Sequence, residues 1–431
     1  MKPLSLALIL ASVSLPAAAQ TPRVPTPPGE TPTVVGRNPS VGYLMQRYSL
    51  GEADAAERIA LQTEVVALSE RLNSENDPAY ADMWIEHEPV FRVVLAFADN
   101  KDRKAFLDSL SPRLRRFVHL VNVPKSKRQV DADLAAITAA IRASGIPFSG
   151  GFDIRGRRYI VEVESQSAAQ QVRELIPPAL RSEVVINVTR LPKDEAPPTG
   201  VQAGDWIAGG YSLYSSANGN SLACTWGFPV TFGSSATKGI LTARHCQSAA
   251  YAYLGSTTGH WVTFAAPVLT KLEGKYDYQI FETTGINQGG GYEVYFEDKN
   301  SIPEFPATGY FKVTALITYM NQKYGMVMCK SGVTTGITCG EIIDGSAIHN
   351  GYNGWIKVSK TNQSDLSAGG DSGGPWFMYP GAGTTITAAG VHTAGGPGAD
   401  CVGTGSACYA IYMPIDYIDD HMTTVRLVIT P

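Results

Sequence analysis

All six cysteines and 34 of the 43 glycines lie after residue 200. Charge is skewed the other way. Residues 201–431 hold 11 Lys and Arg and 16 Asp and Glu, leaving 24 bases and 23 acids in the first 200 positions. Two kinds of domain are therefore joined near residue 200. The first is densely charged, and the second is glycine-rich and carries every thiol. At 44% hydrophobic and 17% charged residues, the chain has ample apolar material for a core and is not of the disordered class. The net charge of −4 gives no electrostatic reason to expect a nucleic-acid partner.

The N-terminus begins Met1-Lys2, continues as an apolar run from Leu4 to Leu15, and ends in Ala17-Ala18-Ala19. A basic start, a short apolar stretch and small residues at the end predict a secretory signal peptide over residues 1–19. The run is too short to span a bilayer and no later one is long enough, so no membrane span is expected. Export implies a secreted protein, extracellular or periplasmic. It also makes the even cysteine count a disulfide framework rather than a thiol or metal set. No cysteine pair has zinc-ligand spacing, and neither a metal nor a cofactor is expected.

After a Pro-rich stretch (21–33), residues 40–200 alternate helical and strand patterns, predicting two small α+β subdomains. Helices are expected over 55–72, 134–141 and 168–176, and strands over 90–98, 158–163 and 184–188. Residues 191–200 combine prolines, charges and a glycine without periodicity, which is linker chemistry. Beyond 201, short runs of Val, Ile, Thr and Tyr are separated by Gly, Asn and Ser turns. The runs are 228–232, 238–245, 261–268, 276–282, 311–319, 355–360 and 384–392. Their spacing predicts an all-β barrel or sandwich, with one helix over 414–425.

Three segments of this second domain carry chemistry. Gly369-Gly370-Asp371-Ser372-Gly373-Gly374-Pro375 exposes a serine on a sharp turn, with the N–H groups of Gly370 and Ser372 placed to form an oxyanion hole. Leu241-Thr242-Ala243-Arg244-His245-Cys246 ends a strand on a histidine beside a cysteine, a rigid setting for a general base. Tyr276-Asp277-Tyr278-Gln279-Ile280 puts an acid among apolar residues, where it needs a partner such as an imidazole. The order His245, Asp277, Ser372 is that of a serine-hydrolase triad.

In these segments the chain resembles the bacterial branch of the trypsin-like serine proteases, the alpha-lytic protease and streptogrisin group. Ile207-Ala208-Gly209-Gly210 and 329–339, which runs from Cys329-Lys330 to Thr338-Cys339, add to the resemblance, which covers nearly all of 205–425. It implies an all-β mature domain over 201–431, built as two packed six-stranded antiparallel barrels with a short C-terminal helix. It implies a serine endopeptidase, made as a zymogen and acting on protein or peptide substrates through an acyl-enzyme. Residues 20–200 would be an α+β pro-region that aids folding, inhibits, and is removed by a cut between about 198 and 206, leaving a monomeric mature form. Such a pro-region suits a protease held behind a high unfolding barrier.

The resemblance also implies the bridges Cys224–Cys246 and Cys329–Cys339, with Cys401–Cys408 as the remainder. It implies a Lys330–Asp371 ion pair steadying the Gly370 N–H, and a hydroxyl bond from Thr393 to Asp277. Residues 388–396, with His392, Thr393 and Gly395, would line the substrate pocket together with Ser367. A histidine at 392 matches the glutamate-specific members of the group, since a neutral imidazole and a hydroxyl can each donate to a carboxylate. The absence of an acid at Leu366 argues against Lys or Arg specificity, and apolar specificity is the alternative. Arg244, usually a small residue, departs from the pattern. Two other readings differ in class. Gly370–Gly374 also fits the G-x-S-x-G elbow of α/β-hydrolases, with Asp400 or Asp416 and His421 to follow, but Pro375 disfavours the helix that elbow needs. The other is a protease-like fold that only binds.

Overall fold

The computed structural model describes residues 38–193, 209–214, 222–246, 251–254, 260–264, 267–283, 293–297, 308–360, 366–380, 385–396, 408–418 and 425–427. The proposed signal peptide, Cys401, Asp400, His421 and most of the linker lie outside them.

The first half is α+β. Helix Pro39–Tyr48 starts on Asn38, whose side chain accepts the Ser40 N–H, and stops at Ser49 in the left-handed region. Helix Glu52–Glu75 follows. A three-stranded sheet of Tyr80–Glu86, Arg92–Phe97 and Val118–Asn122 completes the first subdomain. The second contains helix Lys127–Arg142, which opens on a Ser126/Gln129 capping box. It continues with strands Ser149–Asp153 and Arg158–Val163, helix Gln166–Leu175 and strand Val184–Val188. The helices expected over 55–72, 134–141 and 168–176 and the strands over 90–98, 158–163 and 184–188 are found to within a few residues, apart from longer helix N-termini, whereas helix Pro39–Tyr48 and strands Tyr80–Glu86, Val118–Asn122 and Ser149–Asp153 were not expected.

The second half is almost entirely strand. Six of its strands pair each with the next in a circuit: Val327–Gly332, Gly336–His349, Tyr352–Ser359, Tyr409–Pro414, Thr385–Gly396 and Pro375–Met378. Others form a five-stranded sheet containing Thr237–Thr242 and Tyr276–Glu282, and a four-stranded sheet containing Leu222–Thr225. Of the helix expected over 414–425, Tyr417 and Ile418 are helical and 419–424 lie outside the described residues. Pro414 ends a strand, and Arg426–Leu427 is a strand again.

The two halves share a core. Val41, Leu44 and Ile59 pack with Val327, Cys329 and Phe377, while Leu61, Val65 and Leu72 pack with Met326, Ile342 and Tyr412. Gln62 Oε1 accepts the Val327 N–H. The sheet itself crosses between them: Ile348 pairs with Gly150, so Ser149–Asp153 and its neighbours extend the edge of Gly336–His349. Among the described residues no helix is long and apolar enough to cross a membrane.

Candidate active site

Register brings the first two side chains together. Thr237–Thr242 pairs antiparallel with Tyr276–Glu282, Thr242 opposite Gln279. Two residues further, the chain past Thr242 comes level with Asp277. There it turns, the Cys246 N–H donating to the Ala243 carbonyl at 3.3 Å. Gln279 Nε2 pins the same carbonyl at 2.9 Å. Asp277 Oδ1 accepts the N–H groups of Arg244 (2.7 Å) and His245 (3.1 Å). Its Oδ2 accepts His245 Nδ1–H at 2.8 Å. A carboxylate can only accept, so the imidazole proton sits on Nδ1 and Nε2 is left as the acceptor. Burial by itself would raise the Asp277 pKa, but the imidazole and these donors hold it below the ordinary carboxylate value. Arg244 thus serves the site through its backbone.

The serine turn is fixed from both sides. The Thr225 N–H donates to the Ser372 carbonyl at 2.8 Å. Thr225 neighbours Cys224, which is bridged to Cys246 beside the histidine. On the other side, the Gly373 N–H donates to the His392 carbonyl (2.8 Å) and the His392 N–H to the Gly374 carbonyl (2.9 Å). Gly373 has φ +87°, and a Cβ there would run into Thr242 Oγ1 and the Thr225 carbonyl, so only glycine fits. Ser372 Oγ is buried and has no hydrogen-bond partner among the described residues, so it is not bonded to His245 here. The N–H groups of Gly370 and Ser372 donate to none of the described residues.

Beneath the turn, Lys330 Nζ and Asp371 Oδ2 pair at 2.7 Å with both side chains wholly out of solvent. Asp371 also accepts from Thr335 Oγ1 and from the N–H groups of Thr334, Thr335 and Ala368. Burial works against the charge of Asp371, yet Lys330 and these donors keep its pKa below the usual value.

His392 is fully buried. Trp376 Nε1–H donates to its Nδ1 at 3.3 Å. An indole can only donate, so the neutral imidazole carries its proton on Nε2. That Nε2–H has no partner among the described residues. Burial, followed by the charge of Lys330, lowers the His392 pKa to about 3. Ser367 is also fully buried, and Gly395 lies on the same strand as His392. One expectation fails. Thr393 Oγ1 is buried with no hydrogen-bond partner among the described residues, so it does not reach Asp277. The Asp277 N–H meets Met413 Sδ instead, at 3.3 Å.

Cys224–Cys246 and Cys329–Cys339 are disulfides, as expected. The Cys401–Cys408 pairing lies outside the described residues. Cys224, His245 and Cys246 offer ligand atoms within 4.8 Å of one another, but the sulfurs are already bonded to each other and supply no thiolate for a metal. Asp416, considered for a hydrolase triad, accepts the Tyr319 N–H at 3.0 Å. Two participants had no signal in the sequence: Trp376 and Met413, just described. His349 is buried, is held to about pKa 4 by desolvation, and feels the charges of Asp277 and His245.

No family model matches the chain. Among solved structures, it is similar to a glutamic-acid-specific serine protease that uses a histidine triad in substrate binding. The identity is 23%, the TM-score 0.36, and the match covers 52% of this chain and 100% of that one. It is also similar to a Nocardiopsis protease (21%, TM-score 0.34, 51% and 98% covered) and to a Cellulomonas bogoriensis chymotrypsin (22%, TM-score 0.34, 52% and 99% covered). At these values the overlap in fold and sequence is slight.

Proposed function

We propose that the chain is the precursor of a secreted serine endopeptidase. Its signal peptide is residues 1–19, its pro-region runs to about 200, and its catalytic domain is two packed six-stranded barrels. The carrying observation is the buried Asp277 locked onto His245 Nδ1 beside a glycine-walled serine turn. Ser372 Oγ attacks the carbonyl carbon of the peptide bond, and His245 Nε2 takes its proton. The N–H groups of Gly370 and Ser372 receive the developing oxyanion, an interaction worth about a hundredfold or more in rate per donor. His245 then passes the proton to the leaving amine, and water hydrolyses the acyl-enzyme by the reverse proton path. No cofactor is needed. The two disulfides favour an oxidising compartment.

The specificity we propose is for glutamate. His392 offers a neutral, buried Nε2–H with no acceptor among the described residues, and a carboxylate supplies one. A serine-directed fluorophosphonate tests the enzyme reading. Wild type should be labelled on Ser372 and Ser372→Ala not at all, with peptide hydrolysis falling by many decades because triad members act as a unit. A folded wild-type protein that takes no label would make this a binding protein. Peptides differing only at the residue before the cut test specificity. Preference for Leu or Phe over Glu would overturn it, and His392→Leu should lose the Glu preference while keeping the label.

A further inference from the structure

Behind His392 lies a buried set of side chains that the reaction steps above do not use. Trp376, Tyr412 and Gln322 are all out of solvent. Tyr412 stands opposite His392 on the neighbouring strand, and Trp376 stands opposite Gly390. Gly390 lets the rings meet, because a Cβ there would strike the Tyr412 ring and the Met413 carbonyl. The indole and the phenol stack with centroids 4.9 Å apart and planes at 21°. The Tyr412 hydroxyl donates to Gln322 Oε1. Gln322 Nε2 donates to the carbonyls of Ile317 (3.3 Å) and Ala389 (3.0 Å). Those two bonds use the amide protons and leave Oε1 as the end that faces the phenol.

We propose that Trp376 is the positioning residue of the specificity pocket: its indole N–H holds the His392 proton on Nε2, toward the substrate, and Tyr412 and Gln322 hold the indole. The inference rests on the glutamate reading above.

Each hydrogen bond in this set runs in one direction. A second histidine or a hydroxyl in place of Trp376 could donate or accept, and the imidazole proton could then change nitrogen. An indole only donates, so the proton has one place to be. Nor does the set gain or lose protons near neutral pH. Indole and amide do not titrate there, and burial pushes the Tyr412 hydroxyl well above its ordinary value. The charged groups acting on His392 are Lys330, Asp371, His245 and Asp277, and its Nδ1 is taken by the indole.

Donation into Nδ1 also polarises the ring and makes Nε2–H the stronger donor. A glutamate carboxylate accepts that proton in a charge-assisted bond, about twice as strong as the neutral bond a glutamine oxygen offers. In the other tautomer Nε2 presents a lone pair, which repels a carboxylate and accepts from a glutamine amide. Trp376 thus sets glutamate above glutamine without touching the substrate.

Two replacements remove the donor. Trp376→Phe is the simpler. Benzothienylalanine at position 376, introduced by codon suppression, keeps the shape of the indole and lacks only its N–H, so it carries the test if the phenylalanine variant does not fold. Fluorophosphonate label on Ser372 reports folding in either. Nitrogen NMR of the secreted protein with isotope-labelled histidine reads the tautomer, the His392 signals being those missing from His392→Leu. In wild type Nε2 should carry the proton. In the donor-less variants the Nδ1–H form should appear, and the ratio of kcat/KM for Glu over Gln peptides should fall about tenfold, the low end of what a hydrogen bond to a charged group supplies. A proton on Nδ1 in wild type, or a tautomer or a Glu-to-Gln ratio that the variants leave unmoved, overturns the inference. A labelled wild type that prefers Leu overturns the glutamate reading instead, and the nitrogen spectra alone then decide whether Trp376 fixes the tautomer. An unlabelled wild type overturns the protease reading beneath both.

Discussion

Lys330 and Asp371 put a full ion pair where no water reaches. Removing one partner of such a pair costs far more than the pair contributes, because the other charge stays buried and alone. Lys330→Met should therefore destabilise the protein by about 3–5 kcal/mol. Urea titration would show it, and kcat should fall as the Gly370 N–H loses its aim. Adding Asp371→Asn should restore part of the stability. The Asp277–His245 pair was legible in the sequence because each partner lies in a short, distinctive segment, and the Lys330–Asp371 contact only through the family resemblance of 329–339 and 369–375. The hydroxyl of Thr393 was not. Its strand has a register irregularity between His392 and Ala394, and such a bulge re-aims the side chains around it. Trp376 and Met413 were illegible for another reason. Their partners depend on which strands become neighbours, and local composition does not encode that.

Strands Ser149–Asp153 and Gly336–His349 make the seam between the halves. Ser149 Oγ donates to the Ile348 carbonyl at 2.9 Å, and the Phe152 N–H donates to Asp344 Oδ2 at 3.1 Å. Gly151 has no room for a side chain, since a Cβ would strike the Asp344 carboxyl group. Gly151→Val should open the seam and leave the first half accessible. Limited proteolysis should then cut within 140–165 faster than in wild type, while the same substitution at the exposed Gly51, where a Cβ meets nothing and φ is −66°, should change cutting there little. The strands at 158–163 and 184–188 were readable to the residue because one face of each is apolar. The 14-residue strand Gly336–His349 was not read as a strand at all. It is largely buried, bends through several register shifts, and so never settles into alternation.

The seam also links the assembled molecule to acidity. Burial pushes the Asp344 pKa up to about 7, against about 4 in an unfolded chain. The native state therefore keeps a proton that the unfolded state releases above about pH 4. Asp344 stabilises the fold most at the acid end, and its contribution is lost as pH rises towards 7. Lys357 and Glu162 stand nearby and modulate this. His87 and His349, held neutral by burial, act in the opposite sense on acidification, so the informative quantity is a difference. Between pH 5 and 7 the wild-type denaturation midpoint should fall relative to that of Asp344→Asn, and parallel profiles would remove Asp344 from this role. The pairing of Ile348 with Gly150 joins positions about 200 residues apart, which at about 5–20 residues per second separates their synthesis by some 10–40 seconds. The hairpin that offers the edge is thus finished on the ribosome well before the strand that will dock on it exists. The later strand meets a ready template instead of searching for a partner made at the same moment. Reversing the order of the two halves along the chain would keep every contact of the finished molecule and forfeit that head start.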